Sequence, residues 1–169
     1  MKDTSMEYIG NIRHKIIDKH LLIEVLLNNV IANYFCDSKK NAEEFLFLIM
    51  QKENFYKKIE LLESLKLYEN KYVSCSKREY KKGLKSIEWI NNKRNNVVHN
   101  FMFIDEPTKK LIVNVVKRRE VNKLEINKSF LKEFNKNTKK AISLLGGLNL
   151  EIASYRGIIK DANTKDNLD

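Results

Sequence analysis

The sequence predicts an all-α fold, an up-and-down bundle of four to five helices with a small β-hairpin inserted after the fourth helix. The 169 residues include one Pro and five Gly, so few positions interrupt a helix. Apolar residues recur every three or four positions over long stretches, and 43% of the residues are hydrophobic, enough to fill a core. A chain of this length fits one domain, which we expect over residues 1–160, followed by a frayed polar tail over 161–169.

The first helix carries apolar residues on two sides. One stripe follows the helical period through Ile9, Ile12, Ile16, Ile23, Leu27, Val30 and Tyr34. A second stripe consists of Leu21, Leu22 and Val25. Because a helix that is apolar on two sides is usually buried on both, we expect it at the centre of the bundle. His20 lies on the first stripe and is interpreted as a hydrogen-bonded core residue without a functional role.

The next two helices are marked by a cap and by periodicity. Asn41 and Glu44 have the spacing of a capping box at the start of the second helix, whose core side would be Phe45, Leu48 and Ile49. The helical period over 55–67 predicts the third helix. Residues 68–76 are polar and predict a long loop, whose last residues, Ser74, Cys75 and Ser76, are suited to cap a fourth helix beginning near Lys77.

The pattern changes after His99. Short β-prone runs over 101–104 and 111–116 flank a turn-like segment, which predicts a β-hairpin. The helical period returns from Ser129 and predicts a closing helix. Gly146 and Gly147 are expected to kink or end that helix before residues 148–155 continue it.

Composition narrows the class of function. A formal net charge of +10 favours a polyanionic partner such as nucleic acid, although an A/T-rich coding sequence would also raise Lys and leave a merely solvated surface. Cys36 and Cys75 are isolated and match neither a disulfide scaffold nor a zinc site. Residues 21–35 are too polar for a membrane span. We expect a cytoplasmic protein without metal, cofactor or membrane association.

Residues 94–99, with the sequence RNNVVH, concentrate groups suited to cutting RNA without a metal. Such a reaction must activate a 2′-hydroxyl, stabilise charge on the phosphorus and protonate the leaving 5′-oxygen. An imidazole performs the proton steps near neutral pH, and a guanidinium holds phosphate oxygens. We therefore interpret His99 as the acid/base group and Arg94 as the phosphate ligand.

Helical geometry adds a constraint to these assignments. Asn95 and His99 are four residues apart and share a face, which places Asn95 to orient the imidazole or touch the phosphate. Arg94 lies about 140° from His99 around a regular helix, so it must reach round with its long side chain or act from another subunit. Because one helix presents a single His and a single Arg, we expect a homodimer that brings two copies to one cleft.

With Asn95 following the Arg, this run resembles the Arg-x(4–6)-His signature of the HEPN family. The resemblance implies an up-and-down helical bundle, metal-independent endoribonuclease activity on RNA, a composite site at a dimer interface, and a toxin or anti-phage defence role with a possible antitoxin or regulatory partner. In HEPN toxins paired with a nucleotidyltransferase antitoxin, a Tyr two residues after the His is modified. Phe101 stands there in this chain, which disfavours that subclass.

Other interpretations remain open at the level of sequence. Arg94 and His99 are also suited to interact with the last carbonyls of the fourth helix. RNA-binding candidates are Lys93, Lys117, Arg118 and Arg119, yet a charge run is usually a solvated end. The alternative functions are a non-catalytic HEPN-like dimer that binds RNA or a partner protein as a regulator, and a helical regulator acting by protein contact alone. For the latter, residues 55–62 resemble bacterial regulators of the mannitol-repressor type.

Overall fold

The architecture is mainly α, as expected. A computed structural model describes residues 2–117 and 120–157, so the expected tail over 161–169 lies outside the described residues. Within them the helices are α1 Lys2–Phe35, α2 Lys39–Leu48, α3 Phe55–Ser64, α4 Lys77–His99 and α5 Lys128–Tyr155. The strands are β1 Met102–Asp105, β2 Lys110–Lys117 and β3 Glu120–Glu125, and short 3-10 turns cover Met50–Lys52 and Leu67–Glu69.

The start of α2 differs from the prediction. Ser38 is the N-cap, and its side-chain oxygen accepts a hydrogen bond from the backbone N–H of Asn41 at 3.2 Å. The predicted capping box at Asn41 is therefore wrong, because Asn41 already lies in the first turn. The predicted core side is also wrong in part: Ala42 is buried and Phe45 half-buried, whereas Leu48 and Ile49 are about half exposed.

Side-chain caps begin the later helices as well. Ser76 and Glu79 form a capping box at the start of α4, in which each side chain accepts a hydrogen bond from the other's backbone N–H. This start agrees with the predicted position near Lys77. Asn54 and Asn127 are simple N-caps of α3 and α5, and their side-chain oxygens accept hydrogen bonds from the backbone N–H groups of Lys57 and Phe130.

One stripe of α1 supplies the centre of the hydrophobic core, and the other does not. Ile16, Ile23 and Leu27 are buried, because α2, α3, α4 and α5 all contact α1. The side chains of Leu21, Leu22 and Val25 remain about half exposed. The expectation that α1 is buried on both sides is therefore wrong for this chain. Among the described residues, no helix has the length and apolarity that crossing a membrane requires.

The predicted hairpin is present as β1 and β2, and β3 extends it to a three-stranded antiparallel sheet in the order β1-β2-β3, which was not predicted. The sequence of β3, EVNKLE, is too polar to stand out as a strand. The side chains of Met102, Val113 and Val115 lie on the inner face of the sheet and are buried. Because side chains alternate along a strand, Val116 lies on the outer face, opposite Val121 in the β2–β3 register.

α5 continues through Gly146 and Gly147, where an end or kink was expected. It runs antiparallel to α4, as shown by three successive contacts: Trp89 with Phe130, Ser86 with Asn137, and Gly83 with Leu144. The helices are in close contact at Gly83, where an added Cβ would lie only 3.0 Å from the Cβ and Cγ atoms of Leu144.

Candidate functional site

The last turns of α4 bring Arg94, Asn95 and His99 into contact. The Arg94 guanidinium donates a hydrogen bond from Nη1 to Asn95 Oδ1 at 3.0 Å, and the same nitrogen lies 3.3 Å from His99 Nε2. A guanidinium has donors only, so Nε2 accepts this contact and the ring proton of the neutral imidazole lies on Nδ1. The arrangement thus presents a basic ring nitrogen beside a permanent positive charge.

Arg94 reaches His99 within its own chain. The side chain bridges the angle of about 140° that separates the two positions on the helix. Among the described residues, Asn95 hydrogen-bonds to the guanidinium of Arg94 and not to the imidazole. Asn95 is therefore placed to position Arg94, and the expectation that it orients the imidazole is wrong for the described residues. Contact of Asn95 with a phosphate stays a prediction.

The site is half enclosed. Arg94 is partly buried, and its Nε atom is buried without a hydrogen-bond partner among the described residues. His99 is exposed. The imidazole is therefore the part of the site that a large substrate can approach directly.

Residues other than Arg94 form the hydrogen bonds to backbone oxygens at the C-terminal end of α4. Asn100 is the C-cap, and its side chain donates to the backbone oxygen of Asn96 at 2.9 Å. Arg13 of α1 donates from Nη2 to the backbone oxygen of Asn100 at 3.2 Å, where a cation interacts favourably with the negative pole of the helix. Arg94 contacts side chains instead, so capping is not its role in this structure.

Arg13 is a second guanidinium at this helix end, and sequence reasoning missed it. Its Nε atom, like that of Arg94, is buried without a partner among the described residues. The sequence indicated Arg13 only through its position. It follows Ile12 and lies seven residues before His20, on the side of α1 that faces α4. A charged residue beside an apolar stripe is a weak indication, because it does not show which helix lies opposite.

His20 is buried in the core, as expected. It is also linked to the candidate site, which was not expected. It is 4% exposed, its Nε2 donates to Asn91 Oδ1 at 3.2 Å, and its ring packs on Phe55 with a centroid distance of 4.3 Å. Burial lowers the pKa of His20, and the positive charge of Arg94 lowers it further, against a raising effect of the Asn91 hydrogen bond. Asn91 lies three residues before Arg94, on a neighbouring part of the same helix face.

A partly buried ion pair lies close to this histidine. Lys58 of α3 is 3% exposed, and its Nζ atom lies 2.7 Å from Glu24 Oε1 of α1. The charges of Glu24 and Lys58 have opposite effects on the pKa of His20. Charged groups from three helices thus surround the imidazole of His20.

The predicted RNA-binding residues do not form one group with the site. Lys93 lies on the α5 side of α4, with its Nζ atom 5.3 Å from the centroid of the Trp89 ring. Lys117 ends β2, and its side chain is not among the described parts of the chain. Arg118 and Arg119 lie outside the described residues.

The described residues contain no group of three or more His, Cys, Asp or Glu side chains arranged to hold a metal ion. Cys36 and Cys75 are free thiols. Comparisons with protein-family models, with curated proteins and with solved structures each found no match. The side-chain geometry at the end of α4 therefore carries the functional interpretation.

Proposed function

We propose that this chain is a metal-independent endoribonuclease of the HEPN type, folded as an up-and-down helical bundle and acting in the cytoplasm as a toxin or in anti-phage defence. The observation that supports the proposal is the contact between the Arg94 guanidinium and His99 Nε2 at an exposed helix end. It pairs a proton acceptor with a phosphate ligand, two of the three groups that metal-free RNA cleavage requires; the third is an acid for the leaving 5′-oxygen.

The reaction follows from the protonation of the two groups. A scissile phosphate takes the donors of Arg94 and releases His99 Nε2, which accepts the proton of the ribose 2′-hydroxyl. The 2′-oxygen attacks the phosphorus, the bond to the 5′-oxygen breaks, and that oxygen leaves with a proton from an acid. The products are a 2′,3′-cyclic phosphate and a 5′-hydroxyl end. Arg94 stabilises the negative charge that develops on the phosphate oxygens.

A homodimer supplies the missing acid. One imidazole in its basic form cannot protonate the leaving group at the same moment, whereas the second copy's His99 can be protonated while the first is neutral. Two-fold symmetry brings two identical patches together, so the sites share one cleft when the dimer surface adjoins His99.

The outer face of the sheet is the dimer surface that we propose. Val116 and Val121 face each other on it and are 62% and 61% exposed, and Phe101, two residues after His99, is 73% exposed. The Phe101 ring stacks on Phe103 with a centroid distance of 5.8 Å. Apolar side chains grouped in this way beside a site are typical of an interaction surface.

A cleavage assay on labelled structured and unstructured RNA, with EDTA present, tests the proposal. We expect full activity with the chelator and a loss of about 100-fold or more for His99→Ala and for Arg94→Ala, the usual contribution of a general acid/base or of a transition-state charge contact. The control is His14→Ala, which removes an exposed histidine of α1. Full activity in either site variant, or loss of activity with EDTA, would contradict the mechanism.

The second candidate is a non-catalytic HEPN-like dimer that binds RNA or a partner protein, such as an antitoxin, as a regulator. The observation that favours it is that Nη1 of Arg94 already contacts both Asn95 and His99 within the chain. In this case the protein binds RNA with a steep salt dependence and leaves the strand intact. The same assay therefore separates the two candidates.

A further inference from the structure

The positive charge of the protein is concentrated on two adjacent helices. α4 carries seven Lys or Arg and two Glu, a net charge of +5, and α5 carries five Lys and two Glu, a net charge of +3. Together they hold +8 of the formal net charge of +10. In α1, α2 and α3 the basic and acidic side chains are equal in number. An evenly solvated surface would not divide its charge in this way.

The helices also differ in whether their lysines form ion pairs with carboxylates. Lysines of α2 and α3 lie within 4.0 Å of a carboxylate, as in the pairs of Lys39 with Glu43, Lys40 with Glu44, and Lys58 with Glu24. Among the described residues, none of the five α5 lysines forms such a pair. Their charge is therefore available to an external anion.

The α5 lysines lie on the outward face of that helix, and α4 extends their surface. A shallow hollow on α5 is lined by Lys128, Leu131, Lys132, Asn135, Lys136, Lys139 and Lys140. The adjoining groove between α4 and α5 has a volume of about 590 Å³, and Lys82 of α4 joins Lys139 and Lys140 along it. Glu79 and Glu151 also line this groove, where their carboxylates accept hydrogen bonds from Ser76 and Ser74. We call this hollow and groove the α4–α5 basic face.

We infer that the α4–α5 basic face binds the phosphodiester backbone of a nucleic acid, outside the Arg94–His99 site. That the nucleic acid is RNA rests on the proposed ribonuclease function; the binding of phosphodiesters does not. Lysine ammonium groups on flexible stems recognise evenly repeated phosphates without a fixed geometry, and their contacts release condensed counterions.

The composition of the face favours nucleic acid over a protein partner. Protein–protein interfaces are depleted in Lys and enriched in aromatic residues, whereas nucleic-acid interfaces are strongly positive. Leu131 is the one apolar residue among the seven that line the α5 hollow. A protein would find little in the α5 hollow to pack against, whereas Leu144 and Leu148 are confined to the adjoining groove.

The length of the face matches several phosphates. Lys128 and Lys140 are twelve residues apart, or about 18 Å along a helix. One strand of a duplex places a phosphate about every 3.4 Å along its axis, so the face spans about five of them. Five lysines are enough to contact such a stretch.

The face also leads toward the candidate site. Because α5 runs antiparallel to α4, its lysine-rich first half packs beside the second half of α4, where Trp89 contacts Phe130 and Phe134. Lys93 lies on this side of α4, one residue before Arg94. A strand bound along the face is therefore delivered to the helix end that carries His99.

Binding of a fluorescently labelled 20-nucleotide DNA, and of RNA of the same sequence, tests the inference through fluorescence anisotropy over a range of salt concentrations. DNA lacks the 2′-hydroxyl, so it reports binding without cleavage. The test variant replaces Lys132, Lys136, Lys139 and Lys140 with Gln. The matched control replaces Lys39, Lys40, Lys52 and Lys57 with Gln, which lowers the net charge equally on α2, α3 and the segment between them.

We expect the test variant to reduce the slope of log K against log salt concentration by about 3 for a single strand, at about 0.7 per phosphate contact, and the control to keep the wild-type slope. A variant with Arg at the same four positions keeps the charge and should bind as wild type, and circular dichroism confirms that each variant is folded. Equal losses in test and control variants would overturn the inference. So would binding to vesicles of anionic lipid but to neither oligonucleotide.

The two proposals fail in different ways. If DNA and RNA bind through the basic face and RNA is never cut, the ribonuclease proposal is wrong and the nucleic-acid surface stands. If the test variant cuts RNA with wild-type kcat and KM and binds both oligonucleotides with the wild-type salt dependence, the inference is wrong and the ribonuclease proposal stands.

Discussion

At the scale of single residues, the candidate site depends on how Arg94 is held. Its guanidinium is bonded to Asn95 and lies beside His99, while Arg13 and Asn100 satisfy the end of α4. The motif residues were found from sequence because they lie within six positions and share one helix. Arg13 was not, because its contact with this helix end joins positions 87 residues apart.

His20 provides a pH-dependent contribution to stability that can be measured. Its pKa is lowered by burial, so between that pKa and the usual value of 6.5 the unfolded chain binds more protons than the folded one. Stability from His20 is therefore present above pH 6.5 and is lost as the pH falls below it, by up to about 1.4 kcal/mol per pH unit until the folded-state pKa is reached.

Urea unfolding at pH 7.5 and 5.5 checks this effect. We expect His20→Gln, whose amide can still donate to Asn91, to lose less stability between the two pH values than the wild type. His14→Gln serves as the control, because His14 is exposed and paired only with Asp18. An unchanged pH dependence in His20→Gln would show that other groups cause it.

At the scale of elements, local signals predicted most helix positions. Ser76 and Lys77 mark the start of α4 because a capping box involves only four consecutive residues. The strand β3 escaped detection because its pairing with β2, and not its own residues, makes it a strand. The same reasoning applies to Gly146 and Gly147, which α5 tolerates because packing of the flanking residues keeps the helix intact.

The contact of α4 with α5 should depend on Gly83. An alanine there would place its Cβ against Leu144, and the overpacking, about 1–3 kcal/mol, exceeds the gain of about 1 kcal/mol in helix propensity. We expect Gly83→Ala to lower the free energy of unfolding by up to about 2 kcal/mol. Gly146→Ala, with no atom within 4 Å of the added Cβ, should raise it by up to about 1 kcal/mol.

Denaturant unfolding of the two variants at equal protein concentration compares them directly. Both replace a helical glycine by alanine, so the difference between them isolates the helix contact. Equal stabilisation of both variants would mean that α4 and α5 can separate at Gly83 at negligible cost.

At the scale of the whole molecule, the proposed composite site needs a dimer surface beside His99. Several exposed apolar surfaces compete among the described residues, including Val116 and Val121 on the outer face of the sheet, the stripe of Leu21, Leu22 and Val25 on α1, and residues 47–49 at the end of α2. Only the first adjoins the site through β2, whose Val116 N–H contacts Asn100 Oδ1 at 3.5 Å. The position of the surface thus links oligomeric state to activity.

Light scattering after size-exclusion chromatography, combined with the cleavage assay, distinguishes the surfaces. We expect Val121→Glu to weaken the dimer at least tenfold and to reduce cleavage with it, because an unpaired carboxylate in an apolar interface is costly. Leu21→Glu should leave both unchanged. Dissociation by Leu21→Glu with an intact dimer in Val121→Glu would place the interface on α1 and contradict a composite site.

The sequence by itself determined the features that depend on neighbours within a few positions: the mainly α class, most helix positions, the box that starts α4, and the grouping of Arg94, Asn95 and His99. These follow from hydrogen bonds and side-chain contacts at spacings of one to five residues. The basic helix α4 was also visible as a run of lysines.

Only the tertiary structure decided which surfaces are buried and which groups meet. Both stripes of α1 are apolar, yet the stripe with Ile16 and Ile23 is covered while Leu21 and Leu22 are not. Tertiary packing also placed Arg13 and His20 against α4. It likewise brought the lysines of α4 and α5 together on one face. Burial depends on which elements pack against a surface, and that choice is set by packing free energy summed over residues far apart in the chain.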